Sequence, residues 1–299
     1  MLAIIIVNYK SEKRTIDYVN NELTKVTTPH VTVIVNNEAT ESSNFELQQG
    51  LNATIVYDIN EKLKTDKKCF VIPHFENLGF AKGNNLGAKF VVNNFKPEFL
   101  LFTNNDIQFN QNNIVERLID RIEKIPDAAI IGPKIIGLEG ELQSPEPYLP
   151  FFYRFLWMYW LTPFLSKKRK TKIFKLDYSK NAKEGFHYKI MGSFFIAKVN
   201  DYFKCGMMDS NTFLFAEEVI LSERLKKINK KAYYYPDVSV IHTHGETISA
   251  HIKSKNILLN QYKSLSYYYS KYKGINRFSV FLGRISVMLY WFLNKMIKK

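Results

Sequence analysis

Residues 68–106 read KCFVIPHFENLGFAKGNNLGAKFVVNNFKPEFLLFTNND. KCFVIPH and EFLLFTNND each carry a short apolar run of strand length. Between them a glycine-rich turn leads into a segment whose spacing predicts a helix from about Ala81 to Asn94. Strand, crossover helix and strand form a βαβ unit, which pairs its strands in parallel. Toward the N-terminus, LAIIIVNY and VTVIVNN add two strands, so the first hundred residues predict an α/β fold around a mostly parallel sheet. Several of these strands end in polar residues: Asn8 and Tyr9, Asn36 and Asn37, and Asn104, Asn105 and Asp106. Ligands of open α/β sheets lie outside the carboxyl ends of the strands. These side chains are therefore expected to gather at a nucleotide-binding crevice.

Toward the C-terminus, AAIIGPKII and KIMGSFFIAK read as strands, Glu217 to Lys227 as a helix, and AYYYPDVSVIHTH as another strand. Three parts are expected: a nucleotide half over 1–110, an acceptor half over 111–250 with an aromatic and basic insertion at 147–176, and a basic amphipathic helical tail over 251–299. At 299 residues and 46% hydrophobic content, the chain can bury a sizeable core. The net charge of +14 is concentrated: Pro147 to Leu176 carries +7, and Thr247 to the C-terminus carries +10, with no acid in either. The remaining body is net negative. These cations sit among aromatics rather than along a phosphate-tracking stripe, which argues against nucleic acid as a partner and for an anionic membrane surface. Two cysteines, Cys69 and Cys205, are too few for a disulfide framework and fit a reducing cytoplasm. The apolar run Leu2 to Val7 is too short for a membrane span and reads as a strand.

Four groups of residues carry candidate chemistry. Asp106 delivers a carboxylate to the crevice edge; Mg or Mn on a diphosphate commonly takes only one or two protein carboxylates, although Asn-Asn-Asp after a strand is also ordinary turn chemistry. Glu217 and Glu218 open a helix, where one can act as a base while both favour the helix dipole. His242 and His244 alternate on a strand and share a side, placing an imidazole within reach of a metal or diphosphate. In the glycine-rich stretch, Gly79 and Gly83 allow close backbone approach while Asn77, Lys82 and Asn85 supply donors. That stretch matches neither the Walker loop nor the dinucleotide fingerprint.

In this order the segments resemble the family-two glycosyltransferases of the GT-A fold, especially the rhamnosyltransferase-like branch of bacterial surface polysaccharide synthesis. The resemblance runs from Ala3 to about Thr247. IIIVNYK looks like the opening strand, bringing Val7, Asn8 and Tyr9 to the nucleotide. VIVNNEAT looks like the second nucleotide-contacting strand end, with Asn36 where the family usually has an Asp that contacts the base. NLGFAKGNNLG is similar to the family's most recognisable segment. LLFTNND stands in place of Asn-Pro-Asp, so Asp106 inherits the metal role and Asn105 replaces the proline. GPKI and MGSFFIAK, with Gly192, resemble strands flanking the donor sugar, and VIHTHGET gives His242 a metal or diphosphate role. GMMDSNTFLFAEE resembles the segment that ends in the catalytic base, here Glu218 in place of the usual Asp.

The resemblance implies an inverting, metal-dependent transfer from a UDP- or dTDP-sugar, dTDP-rhamnose among them. The acceptor is a lipid-linked saccharide at the inner face of the cell membrane, reached by a peripherally attached cytoplasmic protein. A catalytically idle scaffold of the same fold is the competing expectation. A homodimer is left open, since the 147–176 segment reads equally as a membrane insertion, an acceptor flap or an oligomer interface.

Overall fold

The computed structural model describes residues 1–157, 176–243 and 254–297. His244, the 158–175 part of the insertion and the expected boundary at residue 250 lie outside these. The strands are β1 (Leu2–Tyr9), β2 (His30–Asn37), β3 (Thr54–Ile55), β4 (Cys69–His74), β5 (Phe99–Thr103), β6 (Ile107–Phe109), β7 (Ala128–Gly137), β8 (Gly185–His187), β9 (Phe194–Lys198) and β10 (Lys231–His242). Among the described residues they form one sheet in the order β3-β4-β2-β1-β5-β9-β7-β10-β6, with β8 beside β10. The N-terminal half is parallel, and β9 enters antiparallel between β5 and β7. Leu2 to Ile6 are fully buried without alternation, as expected of a strand covered on both faces.

The helices are α1 (Glu12–Asp17), α2 (Glu41–Leu51), α3 (Gly79–Phe95), α4 (Ile114–Glu123), α5 (Leu176–Asn181), α6 (Val199–Lys204), α7 (Glu217–Lys227), α8 (Ser254–Lys273) and α9 (Arg277–Ile297). The crossover helix α3 starts at Gly79, whose φ of +73° few other residues adopt and whose missing Cβ would lie 2.1 Å from the Phe213 carbonyl oxygen. Gly83 and Gly87, one turn apart, let α3 settle onto β1, where a Cβ would meet Val7 at 3.0 Å and Ile5 at 2.7 Å. The expected strand KIMGSFFIAK is shorter than its apolar run: the sheet takes only Phe194–Lys198. Residues 189–193 turn across the strand ends, and Lys189 bridges to Glu146 instead.

The C-terminal helices do not form a free tail. Leu265, Tyr268 and Tyr269 of α8 share a buried cluster with Ile220 of α7, Phe151, Phe155 and Val287 of α9. The polarity of α9 is the reverse of a soluble surface helix. Its inner face is small: Ser279, Gly283 and Ser286 are buried, and a Cβ on Gly283 would meet Phe151 at 2.9 Å. Its outer face exposes Phe278, Phe281, Ile285, Met288, Leu289 and Phe292 beside exposed Arg277 and Arg284. No described helix is long and apolar enough to cross a membrane.

Candidate active site

A cleft of about 380 Å³ opens at the carboxyl ends of β1, β2 and β5. Of the residues singled out in the sequence, Val7, Tyr9, Asn77, Gly79, Asn104, Asn105, Asp106, Gly192, Glu217, Glu218 and His242 line it. Asn8, Asn36, Lys82, Gly83 and Asn85 are not among the lining residues, and strand and helix geometry says why. Successive strand residues point to opposite faces, and Asn8 is the register partner of Asn36, so both turn away from the side that Val7 and Tyr9 occupy. There, fully buried, Asn8 donates to Asn36 at 2.8 Å and accepts from Thr15 at 2.7 Å, while Asn36 donates to Ser43 and Asn44. This network ties β1 and β2 to the helices behind the cleft. Gly83 is packed under Val7, Lys82 is exposed, and Asn85 is tied to Tyr202 and Met208. The residue that does face the cleft from β2 is Asn37, whose Nδ2 reaches the Gly79 carbonyl at 3.3 Å. The two-residue alternation was the signal that could have found it.

Asp106 sits in the turn between β5 and β6, held from three sides. The Asn104 amide donates to the Ser193 carbonyl, the Asn105 side chain donates to Ser11 and Thr15 at 2.8 Å each, and Thr243 donates to the Asp106 carbonyl. Its carboxylate is 8% exposed, and Oδ1 lies 3.2 Å from His242 Nε2. His242 Nδ1 is 2.7 Å from Gln143 Oε1. An amide oxygen only accepts, so Nδ1 carries a proton and Nε2 faces the carboxylate, where as an unprotonated nitrogen it would present a lone pair. Asp106 Oδ1 accepts no well-aligned hydrogen bond. Two electron-pair donors facing each other at this distance are reconciled by a proton or a cation. The pair therefore fits a Mg or Mn ion that fills the rest of its shell with phosphate oxygens and water, with Gln143 orienting the imidazole behind it. No group of three or more His, Cys, Asp or Glu in metal-binding range occurs among the described residues.

Glu217 and Glu218 open α7 and line the same cleft. The two preceding residues, Phe215 and Ala216, have φ of 71° and 68°, a strained left-handed pair for non-glycine residues. Glu217 is buried, and its Oε1 has no hydrogen-bond partner. Burial, then the neighbouring Glu218 charge, pushes its carboxyl up to about 8. Glu218 is half-buried and accepts the Gly192 amide at 3.2 Å. A Cβ on residue 192 would stand 2.8 Å from that carboxylate, so glycine there makes room for it.

Behind α7, buried Asp209 binds Arg224 at 2.9 Å and accepts from Tyr272 and Tyr267 of α8 at 2.6 and 2.9 Å. Burial alone would raise its pKa, but hydrogen bonds from Tyr272, Asn211 and Tyr267 hold it well below the usual carboxylate range. Asp209 thus fastens the helix carrying the carboxylates to the C-terminal pair. The sequence reading also missed Lys189, Glu146, Arg154, Gln261 and Leu265, which complete the cleft wall. These come from four separate segments, and no local pattern joins them.

The family model described as "Glycosyl transferase family 2" matches residues 3–177. Among curated proteins, the chain is 29% identical over 148 residues to the low-salt glycan biosynthesis hexosyltransferase Agl10 of Haloferax volcanii, covering 49% of this chain and 41% of that protein. It is 23% identical over 170 residues to an N-acetylglucosaminyl-diphospho-decaprenol L-rhamnosyltransferase of Mycobacterium tuberculosis, covering 54% of this chain and 55% of that protein. The chain thus spans about half the length of the curated relatives it matches. Among solved structures, it resembles the mannosyltransferase PcManGT of Pyrobaculum calidifontis in complex with GDP-Man and Mn2+, with a TM-score of 0.58, 9% identity, and coverage of 95% of this chain and 73% of that one. It also resembles GalNAc-T7 with UDP, GalNAc and Mn2+, with a TM-score of 0.52, 12% identity, and coverage of 91% and 50%. At such identities the likeness is one of fold, the GT-A arrangement of a mostly parallel sheet flanked by helices. With the family model spanning more than half of its residues, the chain belongs to glycosyl transferase family 2.

Proposed function

We propose that this chain transfers a hexosyl or deoxyhexosyl group, with inversion, from a UDP- or dTDP-sugar to a lipid-linked saccharide destined for a surface polysaccharide. The observation that carries the reading is that one cleft is lined both by the Asp106–His242 pair, at 3.2 Å, and by Glu218, which accepts the Gly192 amide. Val7, Tyr9, Asn37 and Asn77 bind the nucleotide at the strand ends. Asp106 and His242 hold a Mg or Mn ion, which supplies Lewis-acid neutralisation of the departing diphosphate. Glu218 removes the proton of the acceptor hydroxyl as that oxygen attacks the anomeric carbon from the side opposite the leaving group. Glu217, retaining its own proton near neutral pH, leaves a single negative charge on the carboxylate pair. Leu214, Phe215 and Val219 exclude water from this side.

The acceptor side extends from 111 to the C-terminal helices, and the protein attaches peripherally to the inner face of the membrane through α9. The exposed Phe278, Phe281 and Phe292 beside Arg277 and Arg284 support this, since aromatic and basic side chains on one exposed helix face suit an anionic bilayer interface. The test is nucleoside-diphosphate release from a panel of nucleotide sugars, with membrane lipid extract and Mn2+ or EDTA. Release with one donor, abolished by EDTA and by Asp106→Asn, is the expected result. A folded protein that releases nothing from a complete panel refutes the reading and favours an inactive scaffold.

A further inference from the structure

The acceptor end of the cleft holds two cations. Lys189 is half-buried and pairs with Glu146 at 3.0 Å. Desolvation, which would lower its pKa, is outweighed by Glu146 and Glu218, so it stays charged, while the Arg154 charge pulls the other way. Arg154 lines the same cleft, and no carboxylate within ion-pair distance of it occurs among the described residues. Tyr269 lies beside it: burial raises the tyrosine's pKa, the Arg154 charge offsets part of that rise, and the hydroxyl donates to the Leu149 carbonyl. A guanidinium held beside a lysine that already has its carboxylate is poised for an anion from outside the chain.

The position of Arg154 says which anion. It stands in the π-helical turn Tyr153–Trp157, and neighbouring Phe151 and Phe155 pack under Gly283 of α9. One side of this segment faces the cleft and the other supports the helix whose outer face is apolar. A ligand with a charged head and a long apolar tail can therefore leave its tail at that face while its head enters the cleft. We infer that Arg154 binds the phosphate that joins the acceptor saccharide to its lipid, so that the cleft selects phosphate-linked over neutral lipid acceptors. Guanidinium suits this role because its planar fork pairs two phosphate oxygens at once. The inference rests on the proposed transfer to a lipid-linked acceptor and deepens it.

The test is calorimetric titration of the full chain with farnesyl diphosphate, farnesol and inorganic pyrophosphate. EDTA is present so that the donor-side carboxylate has no metal with which to capture a diphosphate. Wild type is expected to bind farnesyl diphosphate about ten- to a hundredfold more tightly than farnesol, the range that charge-assisted hydrogen bonds supply. Arg154→Gln should reduce that ratio to near one, and Arg154→Lys should keep part of it. Asp106→Asn should leave it unchanged, and melting curves identify any variant that does not fold. No preference in wild type, a preference that survives Arg154→Gln, or one lost in Asp106→Asn overturns the inference. So does pyrophosphate binding as tightly as farnesyl diphosphate, which would make this a free-anion subsite. Nucleotide release is a separate measurement, so an Arg154-dependent preference without any release refutes the transfer reading alone.

Discussion

Replacing Glu217 by Gln should make the protein more stable at alkaline pH, and the size follows from where the carboxyl sits. Glu217 is 3% exposed, its Oε1 has no hydrogen-bond partner, and burial followed by Glu218 moves its pKa from 4.5 to about 8. In the unfolded chain it ionises near the lower value. Below pH 4.5 both states hold the proton and nothing is lost. Between 4.5 and 8 the unfolded state gives its proton up while the folded state keeps it, so stability falls as pH rises. The full difference corresponds to about 5 kcal/mol, a ceiling because water entering the cleft would relieve part of it. The amide in Glu217→Gln is close in shape to the protonated acid and cannot ionise, so this loss disappears. Urea unfolding followed by circular dichroism at pH 5, 7 and 9 measures it. The variant should lie within about 1 kcal/mol of wild type at pH 5 and exceed it by several kcal/mol at pH 9. A gap that does not change with pH would mean that Glu217 ionises normally in the folded protein, and the pairing argument would fail.

Other outcomes follow from the same geometry. Glu218→Gln should fold and bind nucleotide but lose about a hundred- to ten-thousandfold in kcat, as removal of a general base does; near-wild-type turnover would exclude Glu218 from that role. Gly192→Ala places a Cβ 2.8 Å from a flexible carboxylate end, so melting should change little while kcat drops about a hundredfold through misplacement of Glu218. Asp209→Ala leaves Arg224 without its buried partner and should cost about 3 kcal/mol or more in denaturant; an unchanged midpoint would show that the α7–α8 fastening is dispensable. Phe281→Asp with Phe292→Asp should abolish co-sedimentation with anionic vesicles and leave melting unaltered, because both side chains are outside the packed face.

The first half of the fold was legible because its signals are local. Unbroken apolar runs marked β1, β2, β4 and β5, and the glycine-rich turn followed by helical spacing marked α3. The site was legible only by segment. Treating the polar strand ends as blocks sent Asn36 as well as Asn37 toward the nucleotide, whereas a strand offers one of two neighbours to each face. Here Asn36 is drawn into the network with Asn8, Ser43 and Asn44, and Asn37 faces the cleft. The tail shows the same limit. The sequence marked a basic amphipathic helical tail over 251–299, but which face the domain covers depends on what that face meets. Phe151 stands so close to α9 that a Cβ on Gly283 would meet it at 2.9 Å, and Ser279, Gly283, Ser286 and Val287 turn inward while the phenylalanines turn out.

The part that no local reading could reach explains how Glu218 is held. Asp209 lies in a short turn, and its partners Tyr267 and Tyr272 are 58 and 63 residues away. Together with Arg224 they clamp α7 against α8 from behind. At its front, α7 is entered through two consecutive positive-φ residues, Phe215 and Ala216, and it buries Glu217 with an uncompensated oxygen. Each of these is a local cost: backbone strain of about 1–3 kcal/mol per residue and a carboxyl kept from ionising. They are tolerated because the clamp behind is strong, and their joint effect is to point Glu218 into the cleft over the one residue, Gly192, that has no side chain in its way. The same clamp makes the C-terminal helices part of the cleft wall, since α8 also supplies Gln261 and Leu265 to the cleft. The helix that exposes the aromatic face and the helix that carries Glu218 are thereby parts of one packed unit.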